Sequence, residues 1–237
     1  MLLSKTISKE IMIPLDVIFK YAQLMLDKVE DRGHQEVKML KMIKNSANMT
    51  LCSMNDLIDQ TFIINGVFKK QITNFDVFKA IKDCIEMVEL EAKERNMQIT
   101  IEFNYNCPQW ISCDRQRLQQ VLLNLLTNAM KFSKRKSMIE VNVSFDKMSF
   151  HDTCLFVSVR DFGVGIETNN QQRLFKSVRT LEANQISQSG AGLGLKICKK
   201  ICKQMGGDIW FHSQIGKGSI FNFSFSAKVG SQVNHPE

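Results

Sequence analysis

Asp114–Ser133, DRQRLQQVLLNLLTNAMKFS, decides how the rest of this chain is read. Leu118, Val121, Leu122, Leu125 and Ala129 recur at spacings of three and four, the apolar stripe of an amphipathic helix facing a core. Asn124, Asn128 and Lys131 recur on a second stripe, turned from the first by roughly 100°. Asp114 precedes the first turn as an N-cap. Two amides and an ammonium on one helix face suit either a solvated surface or a site for a hard cation and phosphate. An Asn carbonyl is an oxygen ligand for Mg²⁺, and a Lys ammonium is a point charge for phosphate.

The chain has 237 residues, 44% hydrophobic and 23% charged, enough for one large domain or two small ones with ample core. No apolar run is long enough to span a membrane, and MLLSKTIS lacks the length and cleavage pattern of a signal peptide. Seven cysteines are scattered without a CxxC pair, which points to reduced thiols and a cytoplasmic location, tethered to a membrane only if the chain is part of a longer receptor. Cys198 and Cys202 are four apart, but with no His or third Cys nearby they read as packing thiols rather than metal ligands. The net charge of +7 comes from scattered lysines, not from basic runs interleaved with aromatics. That pattern argues for a polyphosphate ligand or an acidic protein partner and against nucleic acid.

Residues 1–66 read as two long amphipathic helices. Ile7, Ile11, Leu15, Ile18, Ala22, Met25 and Val29 form one heptad-like seam. Val37, Leu40, Ile43, Ala47, Leu51, Met54 and Ile58 form the other, after a polar turn at 30–35. A two-helix hairpin cannot bury both seams alone, so a homodimeric four-helix bundle is expected. Pro14 should bend the first helix. Residues 70–229 alternate helix and strand, with helices at Asp76–Arg95 and Gly192–Met205. Strands are expected at Gln98–Phe103, Trp110–Ser112, Met138–Phe145 and Thr153–Arg160, and the DIWFHS and SIFNFSFSA segments form a closing hairpin. The expected class is α+β: a helical hairpin, then an α/β sandwich whose mixed sheet carries helices on one face. Glu167–Ser189 is long and polar, as a lid is. Residues 230–237 are a tail.

Two glycine motifs follow the helix. In DFGVGI, Asp161 follows a strand, and Gly163 and Gly165 let backbone approach a ligand, while the Asp161 carboxylate can accept from an exocyclic amine such as that of adenine. In GAGLGL, Gly190, Gly192, Leu193 and Gly194 open a helix whose N–H groups suit phosphate. No strand leads into it and no GK[ST] follows, so neither a Rossmann nor a P-loop assignment fits.

Taken together and in this order, the motifs resemble those of the histidine kinase family, within the superfamily it shares with gyrase, the Hsp90 chaperones and MutL. NLLTNAMKFS is similar to the N box, DFGVGI to the G1 box and GAGLGL to the G2 box. RLFKSV resembles the F box, with Phe175 present and Val178 where a second Phe is usual, and GKGSIFNF resembles the closing glycine motif. The likeness runs from Ile7 to about Ala227. It implies ATP and Mg²⁺ as ligands. Asn128 and Asn124 would hold the metal, Lys131 would contact phosphate, and Asp161 with Gly163, Gly165 and Ser219 would take adenine. Gly190, Gly192, Leu193 and Gly194 would cradle phosphates beneath the lid. Phe132 and Phe175 are either ligand contacts or core aromatics; Arg173 and Arg179 are either phosphate partners or solvated.

One position breaks the pattern. The family's Ser-His-Glu, followed by Pro-Leu, reads here Ser8-Lys9-Glu10 with Pro14-Leu15. A neutral imidazole offers a lone pair to phosphorus, whereas a lysine with pKa of about 10.4 is protonated at neutral pH and is no nucleophile. Glu10 then loses its proton-accepting partner. His34, His151, His212 and His235 read as surface residues and do not replace the missing acceptor. Three functions follow: a histidine kinase core phosphorylating a histidine in trans on a partner, with a response regulator downstream; a pseudokinase that binds nucleotide and signals by shape; or a hydrolytic ATPase. The last ranks lowest, because Asn124 stands where the gyrase and chaperone relatives carry a water-activating Glu.

Overall fold

The computed structural model describes residues 15, 17–25, 36, 37, 39, 40, 42–44, 46, 47, 50, 69–147, 153–171, 174 and 191–232. The chain divides into two compact units, Met1–Phe68 and Lys69–Glu237. In the first unit all described residues are helical. Ala22, Leu40 and Ala47 are buried, but Ile18, Met25 and Ile43 of the same seams are exposed. Pro14, the turn at 30–35, Lys9 and Glu10 lie outside the described residues.

The second unit runs β1 (Thr73–Asp76), α1 (Val77–Glu94), β2 (Gln98–Phe103), β3 (Trp110–Cys113), α2 (Arg115–Phe132), β4 (Met138–Lys147), β5 (Thr153–Asp161), α3 (Thr168–Gln171), α4 (Ala191–Gln204), β6 (Ile209–Gln214), β7 (Gly218–Ser226) and β8 (Lys228–Val229). α1 starts where Asp76 accepts the Lys79 N–H at 2.9 Å, and it buries Val77, Ala80, Ile81, Cys84, Val88 and Ala92. Asn96 ends it with φ of 53°, a left-handed conformation that Asn tolerates.

α2 is the central helix, capped as expected by Asp114, which accepts the Arg117 N–H at 3.1 Å. Its buried surface is wider than the single stripe read from spacing, because Leu123, Leu126 and Met130 are also covered. The helix touches α1, α4 and the sheet at once, so apolar residues on flanking faces find partners too. Each fully buried leucine contributes about 1.5–3 kcal/mol relative to exposure.

The expected mixed sheet is present, and a second, antiparallel sheet accompanies it. Five strands run in the order β2-β4-β5-β7-β6, with β2–β4 parallel and the other pairs antiparallel. The parallel step requires a crossover, and α2 lies within it. Trp110–Cys113 instead joins a separate antiparallel sheet of order β1-β3-β8. The two extra strands, TNFD and KV, are too short to carry a period-2 signal.

The register explains where the site sits. Residues directly opposite one another share a face. Three helix-facing rows are wholly apolar: Phe145–Leu155–Phe225, Phe103–Val143–Val157–Phe223–Ile209, and Ile101–Val141–Val159–Phe221–Phe211. The next row reads Ile99–Ile139–Asp161–Ser219–Ser213. At that end of the sheet the core turns polar on three adjacent strands. The other face carries rows such as Asn142–Ser158–Asn222–Trp210, the alternation of a sheet with one solvated side.

Candidate functional site

Asp161 is only 5% exposed, at the end of β5. Its Oδ1 accepts the Gly163 N–H at 2.8 Å. Burial pushes its carboxyl above the ordinary value, and the backbone N–H groups of Gly163 and Ser219 oppose that rise only in part. A buried, incompletely compensated carboxylate is poised to accept from a donor-rich ligand. Ser219, also 5% exposed, is its cross-strand partner.

The glycines are required by close approach. A Cβ on Gly163 would collide with the Phe132 carbonyl oxygen, so the loop after β5 lies flat against the end of α2. Gly165 has φ of +72° and would drive a side chain into the Gln214 carbonyl. The Val164 N–H donates to Phe132 O at 3.3 Å, and the Gly216 N–H donates to Val164 O at 2.8 Å. Loop, helix end and β6–β7 hairpin are thereby fastened together.

On α2, Asn124 and Asn128 are half-buried, and Asn128 Nδ2 donates to Asn124 Oδ1 at 3.0 Å. That bond fixes the Asn128 amide so that its carbonyl oxygen is left for a ligand. Lys131 is exposed in the last turn, its Nζ lying 5.4 Å from the Phe132 ring centroid. Phe132 is itself 44% exposed, which settles one alternative: it is no core aromatic. Gly194, in the first turn of α4, faces the Asn124 amide so closely that a Cβ there would overlap Nδ2. The backbone of Gly192 and Leu193 lies in the same helical turn. Phe175, Gly190, Arg173 and Arg179 lie outside the described residues.

Among the described residues no group of three His, Cys, Asp or Glu could hold a metal. A hard cation would rest on the Asn128 carbonyl oxygen together with a ligand's own phosphates, a donor set that fits Mg²⁺, which keeps few protein ligands. The described cysteines, Cys198 and Cys202 among them, are buried, and burial pushes the Cys202 thiol up to about 12. A cavity of about 340 Å³ at this end of the sheet is lined in part by Asp161, Ser213, Gly218 and Ser219. A larger hollow of about 730 Å³ spreads over the solvated face and includes none of the candidate residues.

Two residues escaped the sequence reading. Ser213 Oγ meets Ile166 N–H at 2.9 Å, Gly218 O at 3.1 Å and Ser219 Oγ at 2.9 Å. Gln171 Nε2 donates to Ile166 O at 2.7 Å and to Ser213 O at 3.2 Å. A lone serine near a strand end carries no spacing signal; only the β6–β7 register, which places it in the row of Asp161, would have found it.

Residues 113–229 match the family model described as histidine kinase-, DNA gyrase B- and HSP90-like ATPase. Over 94% of its length the chain is 30% identical to hybrid signal transduction histidine kinase B of Dictyostelium discoideum, covering 11% of that protein. Over 95% of its length it is 31% identical to signal transduction histidine-protein kinase BarA of Escherichia coli, covering 24% of it. The chain thus spans a minor part of either relative's length. The crystal structure of full-length ShkA in complex with AMPPNP shares the fold, with a TM-score of 0.61 and 24% identity over 96% of this chain and 46% of that one. Residues 113–229 are therefore similar to the ATPase domain common to histidine kinases, DNA gyrase B and HSP90.

Proposed function

We propose that the chain is the ATP-binding core of a phosphorelay histidine kinase, passing the γ-phosphoryl group of Mg-ATP to a histidine supplied in trans. The observation that carries this is the convergence at one end of the sheet of a buried carboxylate, a paired-amide helix face and glycines of two loops. In this reading Asp161 accepts from the adenine amino group beside Ser219, with Gly163 and Gly165 admitting the base and Phe132 flanking it. Asn128, with Asn124 behind it, holds Mg²⁺ on the phosphates, and Lys131 neutralises their charge. The first turn of α4, with Gly192, Leu193 and Gly194, would lie along the phosphates; the resemblance assigns Gly190 to the same loop and Phe175 to a ligand contact or the core, and both lie outside the described residues. The metal, when bound, neutralises charge developing on the transferred group.

Lys9 stands at the acceptor position, and a protonated amine has no lone pair for phosphorus. In the transfer an imidazole nitrogen of the partner forms the new N–P bond, ADP leaves with the electrons of the broken O–P bond, and the imidazole gives up a proton. Glu10 has no imidazole proton to accept within this chain. Residues 1–66 would provide the dimer contact, with a second copy or a His-bearing homologue, and the exposed Ile18, Met25 and Ile43 support that pairing. The partners are that second helical hairpin and a response regulator, and the setting is cytoplasmic. Residues 70–229 act as the catalytic unit and 230–237 as a tail.

The test is transfer of acid-labile ³²P from Mg-ATP to a His-bearing partner hairpin, together with autophosphorylation of a Lys9→His variant. Label on both is expected. Nucleotide binding with label on neither would favour the second reading, a pseudokinase that signals by shape; Lys9 itself is the observation in its favour.

A further inference from the structure

Ser213 Oγ sits among three polar groups, and a hydroxyl has one proton to give. Gly218 O can only accept, and Ile166 N–H can only donate. All three bonds are made at once in a single arrangement: Ser213 donates to Gly218 O, accepts from Ile166 N–H, and accepts the proton of Ser219. The Ser219 hydroxyl is thereby turned with its proton toward β6 and its lone pairs elsewhere. Its neighbour across the strands is Asp161, whose carboxylate takes the N–H groups of Gly163, at Oδ1, and of Ser219, and keeps further lone pairs as a second acceptor.

We propose that Ser213 is a specificity-determining positioning residue, which fixes the direction of the Ser219 hydroxyl so that the site presents two adjacent acceptors. With both facing the 6-position, such a pair favours a 6-amino group, which has two protons to give, and disfavours a 6-oxo group, which would set acceptor against acceptor. The inference rests on the nucleotide reading above and deepens it. Ser213 need not touch the base. Without its hydroxyl, Ser219 is free to rotate and donate, and a 6-oxo base becomes acceptable. The backbone at this junction is held independently by Gln171, through Ile166 O and Ser213 O, so removing one hydroxyl leaves the frame in place.

The test compares dissociation constants of Mg-ATP and Mg-ITP, which differ at the 6-position and in the proton that the 6-oxo base carries on N1, in the full chain and its Ser213→Ala, Ser213→Thr and Ser219→Ala variants. The unaltered chain is expected to prefer ATP by about tenfold or more, the scale of one satisfied against one opposed hydrogen bond. Ser213→Ala should narrow the preference to within about threefold, chiefly through tighter ITP binding, and Ser213→Thr should restore it. In a Ser219→Ala background, Ser213→Ala should leave the ratio where Ser219→Ala put it. An ATP-to-ITP ratio unmoved by Ser213→Ala, in a chain that binds ATP, overturns the role of Ser213 alone. Binding of neither nucleotide by the unaltered chain overturns the nucleotide reading and this inference with it.

Discussion

Gly194 and Asn124 occupy adjoining space with no room for a methyl group between them: a Cβ on Gly194 would overlap the Asn124 amide nitrogen. Two motifs separated by some seventy residues of sequence thus meet at a single van der Waals surface. Helix propensity alone favours Ala over Gly inside α4 by about 1 kcal/mol. The contact predicts the opposite for binding, since displacing Asn124 also disturbs its bond with Asn128. Gly194→Ala should keep its helical circular dichroism and lose about tenfold or more in affinity for an ATP analogue by titration calorimetry, about 1.4 kcal/mol. Unchanged affinity would mean that the amide pair moves without consequence.

Replacing Asp161 separates binding from stability. An Asn there keeps the shape but removes a charged acceptor, worth about 1.5–3 kcal/mol in a hydrogen bond. Affinity for the ATP analogue should fall by roughly one to two orders of magnitude. Thermal stability should hold or rise, because a buried carboxylate whose charge is disfavoured by desolvation has been neutralised. A variant that melts earlier with affinity intact would contradict both expectations.

Acidification should act on two carboxyls in opposite senses. The folded-state pKa of Asp161 lies above its ordinary 3.8, so its contribution to stability is fully present below 3.8 and is lost as pH rises through the folded value. Ligand affinity runs the other way: an amine donor needs the ionised form, so affinity should weaken as pH falls through that same value. For Asp208, burial raises the carboxyl, but hydrogen bonds from Lys199, Lys203 and the Ile209 N–H outweigh it and hold the pKa at about 2. Its contribution is present above 3.8 and is lost as pH falls toward 2, a small effect for a carboxylate open to solvent. Binding titrations and melts from about pH 2 to 7 (roughly the span of both carboxyl titrations), with Asp161→Asn and Asp208→Asn as controls, would separate the two.

Leu126 is fully buried on α2, outside the apolar stripe expected from spacing. Leu126→Ala should cost about 2–5 kcal/mol in urea unfolding through lost transfer energy and the cavity left behind. A cost below about 1 kcal/mol would show that the site collapses around the gap.

Legibility in the sequence followed signal length. α2 and the long strands declared themselves by period, and Asp114, Asn124, Asn128, Asp161 and Gly163 stood out as candidates because they lie in contiguous motifs. The four-residue β1 and two-residue β8 carry too few positions for a period, so a second sheet went unseen. Ser213 and Gln171 act through register and through a turn, which no local spacing encodes. Phe132 stayed ambiguous because an aromatic at a helix end reads alike whether it is covered or open.

Asp114 divides its two carboxylate oxygens between different duties. Oδ1 takes the Arg117 N–H that starts α2, while Oδ2 takes the Gln71 N–H, 2.8 Å away, at the point where the chain enters the second unit. With the carboxylate almost sealed from water, neither bond has a solvent substitute. The same side chain thus holds the backbone at residue 71 and starts the helix that bears Asn124, Asn128 and Lys131, so replacing Asp114 would remove both holds together.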